Sequence, residues 1–455
     1  MGTELLAPLD LAFWHFESDT HPMHLGALAV FSPSPGVAPH DILELLGARA
    51  AAIPRLRMCV RDVLLPVGGA AWSLDKDFDV HRHVRRLVLA EGDFMEQATG
   101  LAGELMERPL GRGLPPWQMY LIGGADDGPF AVLVKLHHAL ADGMRAVAIG
   151  AGIFDEIAAA TGGAGTARRR APVPPRSWLP DPREVVGMAL GRIGEVGRAL
   201  GVGASVVRAG RLDLRGSTAL TAPSSGTRRL ATAELDAAAV QRIRRAEGGT
   251  ANDILLAVVA GALRRWMLER GEPLPAADPR ALVPVSRRRP GGAAVSGNRL
   301  SAYLLGLPVG EPDARRRLRA VRTAMDRNKA AGPLKGAGAV AVLADQLPPL
   351  AHRFGAPLAA GAARVLFDVL VTSVPLPRSA LSLGGCPLRA VYPMAPLARG
   401  QSLAVALATY GGRVQVGLVA DGKALGDLDR LAAAVHEEFR ELCALIAAPE
   451  RKTGR

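Results

Sequence analysis

Two adjacent histidines are the residues of this sequence best suited to acid–base chemistry. They occur as His137 and His138 within residues 130–145, and Asp142 and Gly143 follow shortly after. An unperturbed imidazole has a pKa of about 6.5, so much of it is neutral at pH 7 and able to accept a proton. One of these histidines is therefore a candidate general base, although two histidines at a strand end are more often structural or surface residues.

The residues around the histidines predict how they are positioned. The apolar run at residues 130–136 predicts a strand, and the chain after Gly143 predicts a helix that ends near residue 160. Neighbouring residues of a strand point to opposite faces, so His137 and His138 cannot both face one site. We expect one to face a cleft and the other to be absorbed into the fold.

A metal site is not indicated by this group. The two histidines point in opposite directions, which argues against a metal site formed by both of them with Asp142. No further His or Cys cluster completes a set of metal ligands. Cys59, Cys386 and Cys443 are far apart in sequence, which also argues against disulfides and structural zinc. We expect no metal and no resident cofactor.

Length and composition indicate two globular bodies. The chain has 455 residues, of which 49% are hydrophobic and 22% are charged, whereas a single domain usually has ~100–200 residues. No signal peptide is visible, and the longest apolar run, residues 254–263, is shorter than the ~20 residues that span a bilayer. We expect a cytoplasmic protein whose contact with the inner face of a membrane, or with lipid inclusions, is peripheral.

The formal net charge of +12 comes mostly from arginine. It reflects either codon bias in an Ala-, Gly- and Arg-rich chain or a surface attracted to lipid headgroups or to the phosphates of coenzyme A. Nucleic acid is not expected as a partner, because the four Tyr and ten Phe do not interleave with the arginine clusters.

A segment rich in glycine and proline separates the two bodies. Residues 161–182 read as a linker, and residues 184–200 form a basic amphipathic stretch. That stretch is either an ordinary helix packed on the protein or a helix that rests on a lipid surface. Elsewhere, strands are predicted at residues 25–31, 300–309, 365–374 and 414–419, and helices at residues 40–53, 249–269 and 424–447.

The segment from His137 to Gly143 matches the HHxxxDG motif of the coenzyme-A-dependent acyltransferase superfamily. Within it, the chain resembles the bacterial wax ester synthase/diacylglycerol acyltransferase family. Other blocks match that family in order along nearly the whole chain, namely residues 8–10, 22–26, 53–57, 78–85, 108–110, 116–120, 249–253, 283–286, 297–301, 392–401 and 417–421.

The resemblance implies an α/β (α+β) fold of two chloramphenicol-acetyltransferase-like subdomains, joined by a crossing linker, with an active-site channel between them. The implied division is residues 1–160 with the HHxxxDG motif, 161–227 as the linker, and 228–455 with the family's ND motif. The implied reaction transfers a fatty acyl group from the substrate acyl-CoA to diacylglycerol or to a long-chain alcohol.

The resemblance also assigns roles to residues. His138 is the expected general base, His137 supports the loop, and Asp142 pairs with an arginine, for which Arg57 and Arg299 are the candidates. Gly143 leaves room beside the channel where a Cβ could intrude. Residues 287–289, three arginines, are a candidate part of the channel mouth for the donor's phosphates.

Three further residues belong to the expected site. Asn252 either donates a hydrogen bond to the carbonyl oxygen or to His138, or caps a helix. Asp253 completes the ND motif and supports the site, and Trp117 is expected in the core or the channel wall.

The chain departs from the family pattern in three places. Pro116 replaces a leucine, residues 372–377 lack the asparagine and glycine of an NVPGP-like turn, and residues 222–226 lack an Asn-Gly-Pro pattern. These departures concern acceptor preference. Two other hypotheses are an acyltransferase that uses a carrier-protein thioester, and a catalytically weak protein that binds lipid surfaces.

Overall fold

The computed structural model describes residues 4–124, 128–156, 219–286, 300–331 and 366–447. The predicted amphipathic stretch at residues 184–200, most of the linker, Arg299 and the three arginines at 287–289 lie outside the described residues. The helices are α1 (Pro8–Phe16), α2 (Pro39–Ala52), α3 (Phe94–Glu107), α4 (Gly143–Ile153), α5 (Ala237–Glu247), α6 (Ala251–Glu269), α7 (Ala314–Ala331) and α8 (Leu428–Ala447).

The strands form three sheets. They are β1 (Glu4–Leu5), β2 (His24–Phe31), β3 (Met58–Asp62), β4 (Ala70–Leu74), β5 (Val84–Val88), β6 (Trp117–Gly123), β7 (Phe130–His137), β8 (Asp155–Glu156), β9 (Arg228–Asp236), β10 (Arg280–Ser286), β11 (Leu300–Gly306), β12 (Val369–Val374), β13 (Leu381–Leu383), β14 (Cys386–Met394), β15 (Leu403–Tyr410) and β16 (Arg413–Asp421). The mixed α/β class predicted from the sequence is confirmed.

The first large sheet has seven strands in the order β5-β6-β7-β2-β14-β13-β8. Its neighbours are antiparallel except for β5 and β6, which run parallel. Because β13 and β14 come from residues 381–394, the second half of the chain completes the sheet of the first half. The strands of the two sheets are therefore not divided at residue 228, the predicted start of the second body.

The second large sheet has six strands in the order β11-β10-β12-β15-β16-β9. Helices α5, α6, α7 and α8 pack against it, and their buried apolar side chains form one continuous core with the strands. Helix α6 is buried over most of its length, including Trp266. A small antiparallel sheet, β1-β4-β3, lies beside helix α1, with a hydrogen bond from Leu6 N to Ala70 O.

The two large sheets meet where β14 approaches β15 and β16. Gly417 in β16 permits this approach, since a Cβ at that position would lie 1.9 Å from the carbonyl oxygen of Pro393. This is a contact closer than real Cβ atoms make, so only glycine fits here without movement of the backbone.

The predicted elements are confirmed where the hydrophobic pattern is strong, and several bounds differ. Helix α4 ends at Ile153 rather than near residue 160, because Phe154 is extended and β8 then pairs with β13. Helix α8 begins at Leu428 rather than at residue 424, and β12 begins at Val369 rather than at residue 365. Within the described ranges, no helix combines the length and the apolar character needed to cross a bilayer.

Candidate active site

The two adjacent histidines lie at the end of β7 and point in different directions, as predicted. His137 is the last residue of β7 and pairs with His24 of β2, whereas His138 begins the turn toward α4. The backbone N–H of His138 donates a hydrogen bond to Met23 O at 2.8 Å. His137 is fully buried, and His138 is half-buried at the wall of a cavity.

That cavity has a volume of about 1270 Å³, including the part that opens to solvent. Its walls come from β2, β7 and β14 of the first sheet together with α4, and from β12 and β15 of the second sheet, so it lies between the two large sheets. Among the described residues that line it, His138 and Thr372 alone carry polar side chains, and none is charged. An apolar cavity with very few polar groups suits a ligand that is mostly hydrocarbon.

The surroundings of His138 favour a neutral imidazole. Phe13 of α1 stacks on the ring with 4.0 Å between the ring centroids. Burial lowers the pKa of His138 below its ordinary value, and the opposing effects of its own backbone carbonyl and of Asp142 do not cancel this. A histidine held in this state can accept a proton at neutral pH.

His137 supports the turn that carries His138. Its Nδ1 accepts a hydrogen bond from Ala139 N at 3.0 Å, so in the neutral ring the proton is on Nε2. That Nε2 lies 3.5 Å from Glu17 Oε1. Burial lowers the pKa of His137 to about 3, although Glu17 acts in the other direction. A neutral His137 therefore braces the loop and does not face the cavity.

Glu17 is a site residue that sequence reasoning missed. Its buried carboxylate lies 3.2 Å from His24 Nε2, 3.5 Å from His137 Nε2 and 3.6 Å from Arg112. Burial acts to raise the pKa of Glu17, but His24, His137 and Arg112 together lower it. His24 lies in a block that resembles the family, whereas Glu17 had no motif or spacing that could mark it.

Phe13 and Thr372 were missed as well. Phe13 lies in an apolar helix where its spacing predicts core, and Thr372 lies in an apolar strand. Thr372 could have been suspected from alternation, because β12 places Leu370, Thr372 and Val374 on the cavity side.

Asp142 is a helix cap in this structure. It is buried, it precedes α4, and its Oδ1 accepts a hydrogen bond from Arg145 N at 2.8 Å. Of the two candidate arginine partners of Asp142, Arg57 is exposed and its guanidinium lies 5.6 Å from the centre of the Phe78 ring. The short 3₁₀ turn Pro54–Arg57 directs the side chain to that surface. The other candidate, Arg299, lies outside the described residues, so the pairing of Asp142 with an arginine stays a prediction.

Gly143 lies beside the cavity, as expected from the sequence. Its φ is not positive, and a Cβ there would meet only Val374 Cγ2, at an ordinary 3.9 Å. Gly143 lines the cavity, so a larger residue would reduce the space for a ligand without clashing with the protein.

Asn252 does not cap the helix. Thr250 is the N-cap of α6, and Asp253 completes a capping box with it, since Asp253 Oδ2 accepts a hydrogen bond from Thr250 N at 2.8 Å. Asn252 Oδ1 accepts a hydrogen bond from Ser373 Oγ at 2.9 Å. Because Ser373 alternates with Thr372, this bond lies on the other side of β12 from the cavity, and the structure does not bring Asn252 to His138.

Trp117 is part of the core, as expected. Its side chain is fully buried, its Nε1 donates a hydrogen bond to Leu56 O at 2.6 Å, and its ring stacks on His83. It is not among the described residues that line the cavity. It supports the strand β6 that lies beside β7.

The arrangement brings one neutral imidazole and one hydroxyl to the wall of an apolar cavity. Such an imidazole can take the proton of an alcohol held beside it, and the apolar walls can hold hydrocarbon chains. Within the described ranges, no group of three or more His, Cys, Asp or Glu is arranged to hold a metal ion.

Comparison with family models gives two matches. Residues 6–255 match the wax ester synthase/diacylglycerol acyltransferase catalytic domain, and residues 296–443 match the WS/DGAT C-terminal domain. The first match includes both histidines and the start of α6.

Individual relatives cover the whole chain. It is 31% identical to the probable diacylglycerol O-acyltransferase tgs1 of Mycobacterium tuberculosis H37Rv, over 99% of this chain and 97% of that protein. It is 29% identical to the probable diacylglycerol O-acyltransferase tgs2 of the same strain, over 96% and 98% of the two chains.

Solved structures share the fold. The wax ester synthase/diacylglycerol acyltransferase from Marinobacter aquaeolei VT8 is similar with a TM-score of 0.70 and 23% identity, over 98% of this chain and 100% of that chain. The first condensation domain of the CDA synthetase is similar with a TM-score of 0.56 and 18% identity, over 98% and 97% of the chains. These likenesses confirm the predicted two-subdomain architecture.

Proposed function

The chain belongs to the wax ester synthase/diacylglycerol acyltransferase family of acyltransferases, and we propose that it transfers a fatty acyl group from acyl-CoA to diacylglycerol or to a long-chain alcohol. The observation that carries this proposal is the position of His138 on the wall of a large apolar cavity between the two sheets. The acyl chain and the acceptor are both hydrocarbon for most of their length, and the cavity offers them apolar walls.

His138 is the general base of the proposed reaction. Its neutral imidazole takes the proton of the acceptor hydroxyl while the hydroxyl oxygen attacks the thioester carbonyl carbon. The tetrahedral intermediate then collapses, the carbon–sulfur bond breaks, and the imidazolium returns the proton to the departing thiolate of coenzyme A. A positioned base of this kind contributes ~10²–10⁴-fold to the rate.

The groups around His138 keep it in place for this step. Phe13 covers one face of the ring, and Met23 O holds the backbone of the turn. His137, Glu17 and the Asp142 cap support the turn from the side away from the cavity. The hydroxyl of Thr372 is a further group that could orient a substrate oxygen.

Leu376 narrows the cavity at a position where the family's turn has a smaller residue. It stands where the family's turn has a glycine, and here its side chain lines the cavity. It therefore occupies volume that a glycine would leave open, which would favour slender acceptor chains over bulky ones. The acceptors are lipids, so we also propose that the protein works at the surface of a membrane or of a lipid inclusion.

Purified protein tests the proposal directly. It would be incubated with palmitoyl-CoA and a panel of acceptors: diolein, hexadecanol and hexanol. We expect release of coenzyme A together with formation of an equal amount of ester for at least one acceptor. Release of coenzyme A without ester, or no reaction with any acceptor, would contradict the proposed transfer.

A further inference from the structure

We propose that the tip of the β3–β4 hairpin inserts into a lipid surface and so places the cavity beside its acceptor. This tip, called the apolar tip below, consists of Leu64, Leu65, Pro66 and Val67. Its leucines are 89% and 70% exposed and its valine is 56% exposed. The inference rests on the proposed function, because it names the surface through which a lipid acceptor would be reached.

Exposed apolar residues are concentrated in this region. Of nine large apolar side chains exposed in the described part of the chain, five belong to the small sheet and its hairpin. They are Leu5, Leu64, Leu65, Val67 and Leu74. Leu64, Leu65 and Val67 are adjacent at the tip, whereas Leu74 pairs with Met58 at the opposite end of the hairpin. Single exposed apolar residues are common on protein surfaces, but a contiguous group of them marks an interaction site.

The apolar tip is held in shape by backbone hydrogen bonds. Val63 N donates to Gly69 O at 3.1 Å, and Gly69 N donates to Pro66 O at 2.8 Å. A Cβ on Gly69 would lie 2.8 Å from Pro66 O, so the tight turn requires a glycine there. The side chains are thus presented to solvent by an ordered turn, and little further ordering is needed on insertion.

Helix α1 connects the apolar tip to His138. His15 Nε2 lies 3.3 Å from Gly68 O at the base of the turn, while Phe13 stacks on the His138 ring. These two residues of α1 are separated by only ~3 Å along the helix axis, and they point to opposite sides of the helix, so α1 lies between the base of the turn and His138. A lipid surface that receives the apolar tip therefore lies close to the helix that covers the base.

The chemistry of the tip favours a lipid phase over a protein partner. The tip protrudes and carries branched aliphatic side chains, whereas aromatic and arginine residues dominate the centre of protein interfaces. The adjacent exposed residues Arg61 and Asp62 carry opposite charges. The local charge therefore cancels, and insertion of apolar side chains, more than attraction to anionic headgroups, would bind the protein.

A double variant tests this inference. Leu64→Gln with Leu65→Gln removes the apolar side chains without adding charge, at positions exposed enough to leave folding intact. The matched control is Val88→Gln with Leu268→Gln, which changes two other exposed apolar residues, 68% and 49% exposed. Both would be floated with phosphatidylcholine vesicles that contain diolein, and their melting temperatures would be compared with that of the wild type.

We expect the tip variant to bind these vesicles at least about tenfold more weakly than the wild type or the control. It should also lose turnover of diolein in the vesicles while it keeps turnover of hexanol, which is dissolved in water. Vesicle binding equal to that of the wild type would overturn the inference. So would a change of oligomeric state with unchanged vesicle binding, since the tip would then be an interface between copies.

The same experiment separates this inference from the proposed function. A wild type that floats with the vesicles, in contrast to the tip variant, but forms no ester from any acceptor would leave the lipid-binding tip standing. That result would contradict the proposed reaction alone.

Discussion

At the residue scale, two neighbouring histidines have different tasks because the strand ends between them. His137 keeps the alternation of β7 and faces Glu17 in the interior, whereas His138 leaves the strand and faces the cavity. The sequence was sufficient to predict this division, since alternation is a local property of a strand. It could not reveal Glu17, because two of its partners, Arg112 and His137, are distant in sequence and meet it only in the fold.

We predict that Glu17→Gln destabilises the protein. Its Oε1 lies near the Nε2 atoms of both His24 and His137, and its Oε2 lies near Arg112. The amide of glutamine has one donor group, so it would turn that donor toward either the imidazoles or the guanidinium, and it would remove the negative charge. The free energy of unfolding, measured by urea denaturation, should fall by about 1–3 kcal/mol.

The control for this change is Glu104→Gln, because Glu104 is exposed and lies 4.0 Å from the exposed Arg108. It should change the free energy of unfolding by less than about 0.5 kcal/mol. Equal effects of the two substitutions would show that Glu17 does not bind the buried imidazoles as described.

At the element scale, helix α6 begins at a cap that also positions Asn252. Thr250 Oγ1 accepts a hydrogen bond from Asp253 N at 3.2 Å, and Asp253 Oδ2 accepts one from Thr250 N at 2.8 Å. Thr250→Ala should lower the free energy of unfolding by about 0.5–2 kcal/mol. Urea denaturation measures the loss.

Thr323→Ala is the matched control for the cap. Thr323 lies exposed inside α7, and its hydroxyl bonds only to the carbonyl of Arg319 among described residues, at 2.9 Å. Alanine is the better helix former, so this variant should be as stable as the wild type or slightly more stable. A Thr250→Ala protein with the stability of Thr323→Ala would rule out a stabilising cap.

Elements with a strong local pattern could be predicted, and those defined by distant pairing could not. The run at residues 130–136 and the apolar helix at residues 251–269 appear in the structure almost as expected. Strands β13 and β14 were missed as members of the first sheet, because their partners β8 and β2 lie more than two hundred residues earlier in the chain. For the same reason the sequence could not show that strands from beyond residue 228 complete the first sheet.

At the scale of the whole molecule, buried histidines make stability depend on pH. Burial is the largest cause of lowered pKa values at five of them, His21, His24, His83, His137 and His138, with His21 at about 4 and His137 at about 3. Below about pH 6.5 the unfolded chain binds protons at these sites and the folded protein does not. The unfolded state is then favoured, so stability falls as the pH falls.

The melting temperature should therefore decrease steadily from about pH 6.5 to about pH 4.5. Each such histidine lowers the free energy of unfolding by up to about 1.4 kcal/mol per pH unit over this range. Between about pH 7 and about pH 8 these groups should contribute no change, because the histidines are neutral in both states. A melting temperature that is constant or rises on acidification to about pH 5 would contradict the neutral, buried state of these histidines.

The candidate site is formed by residues from both halves of the chain. The apolar walls come from strands of both sheets, and His138, the proposed base, comes from the turn after β7. The central claim is that the imidazole at this junction removes the proton of the acceptor hydroxyl.

The turnover number of His138→Ala tests that claim most directly, measured with palmitoyl-CoA and the preferred acceptor. The matched control is His40→Ala, which removes an exposed histidine of α2. The account predicts a loss of at least about 100-fold for His138→Ala, with a folded protein and with His40→Ala fully active. Turnover of His138→Ala equal to that of the wild type would show that another group is the base.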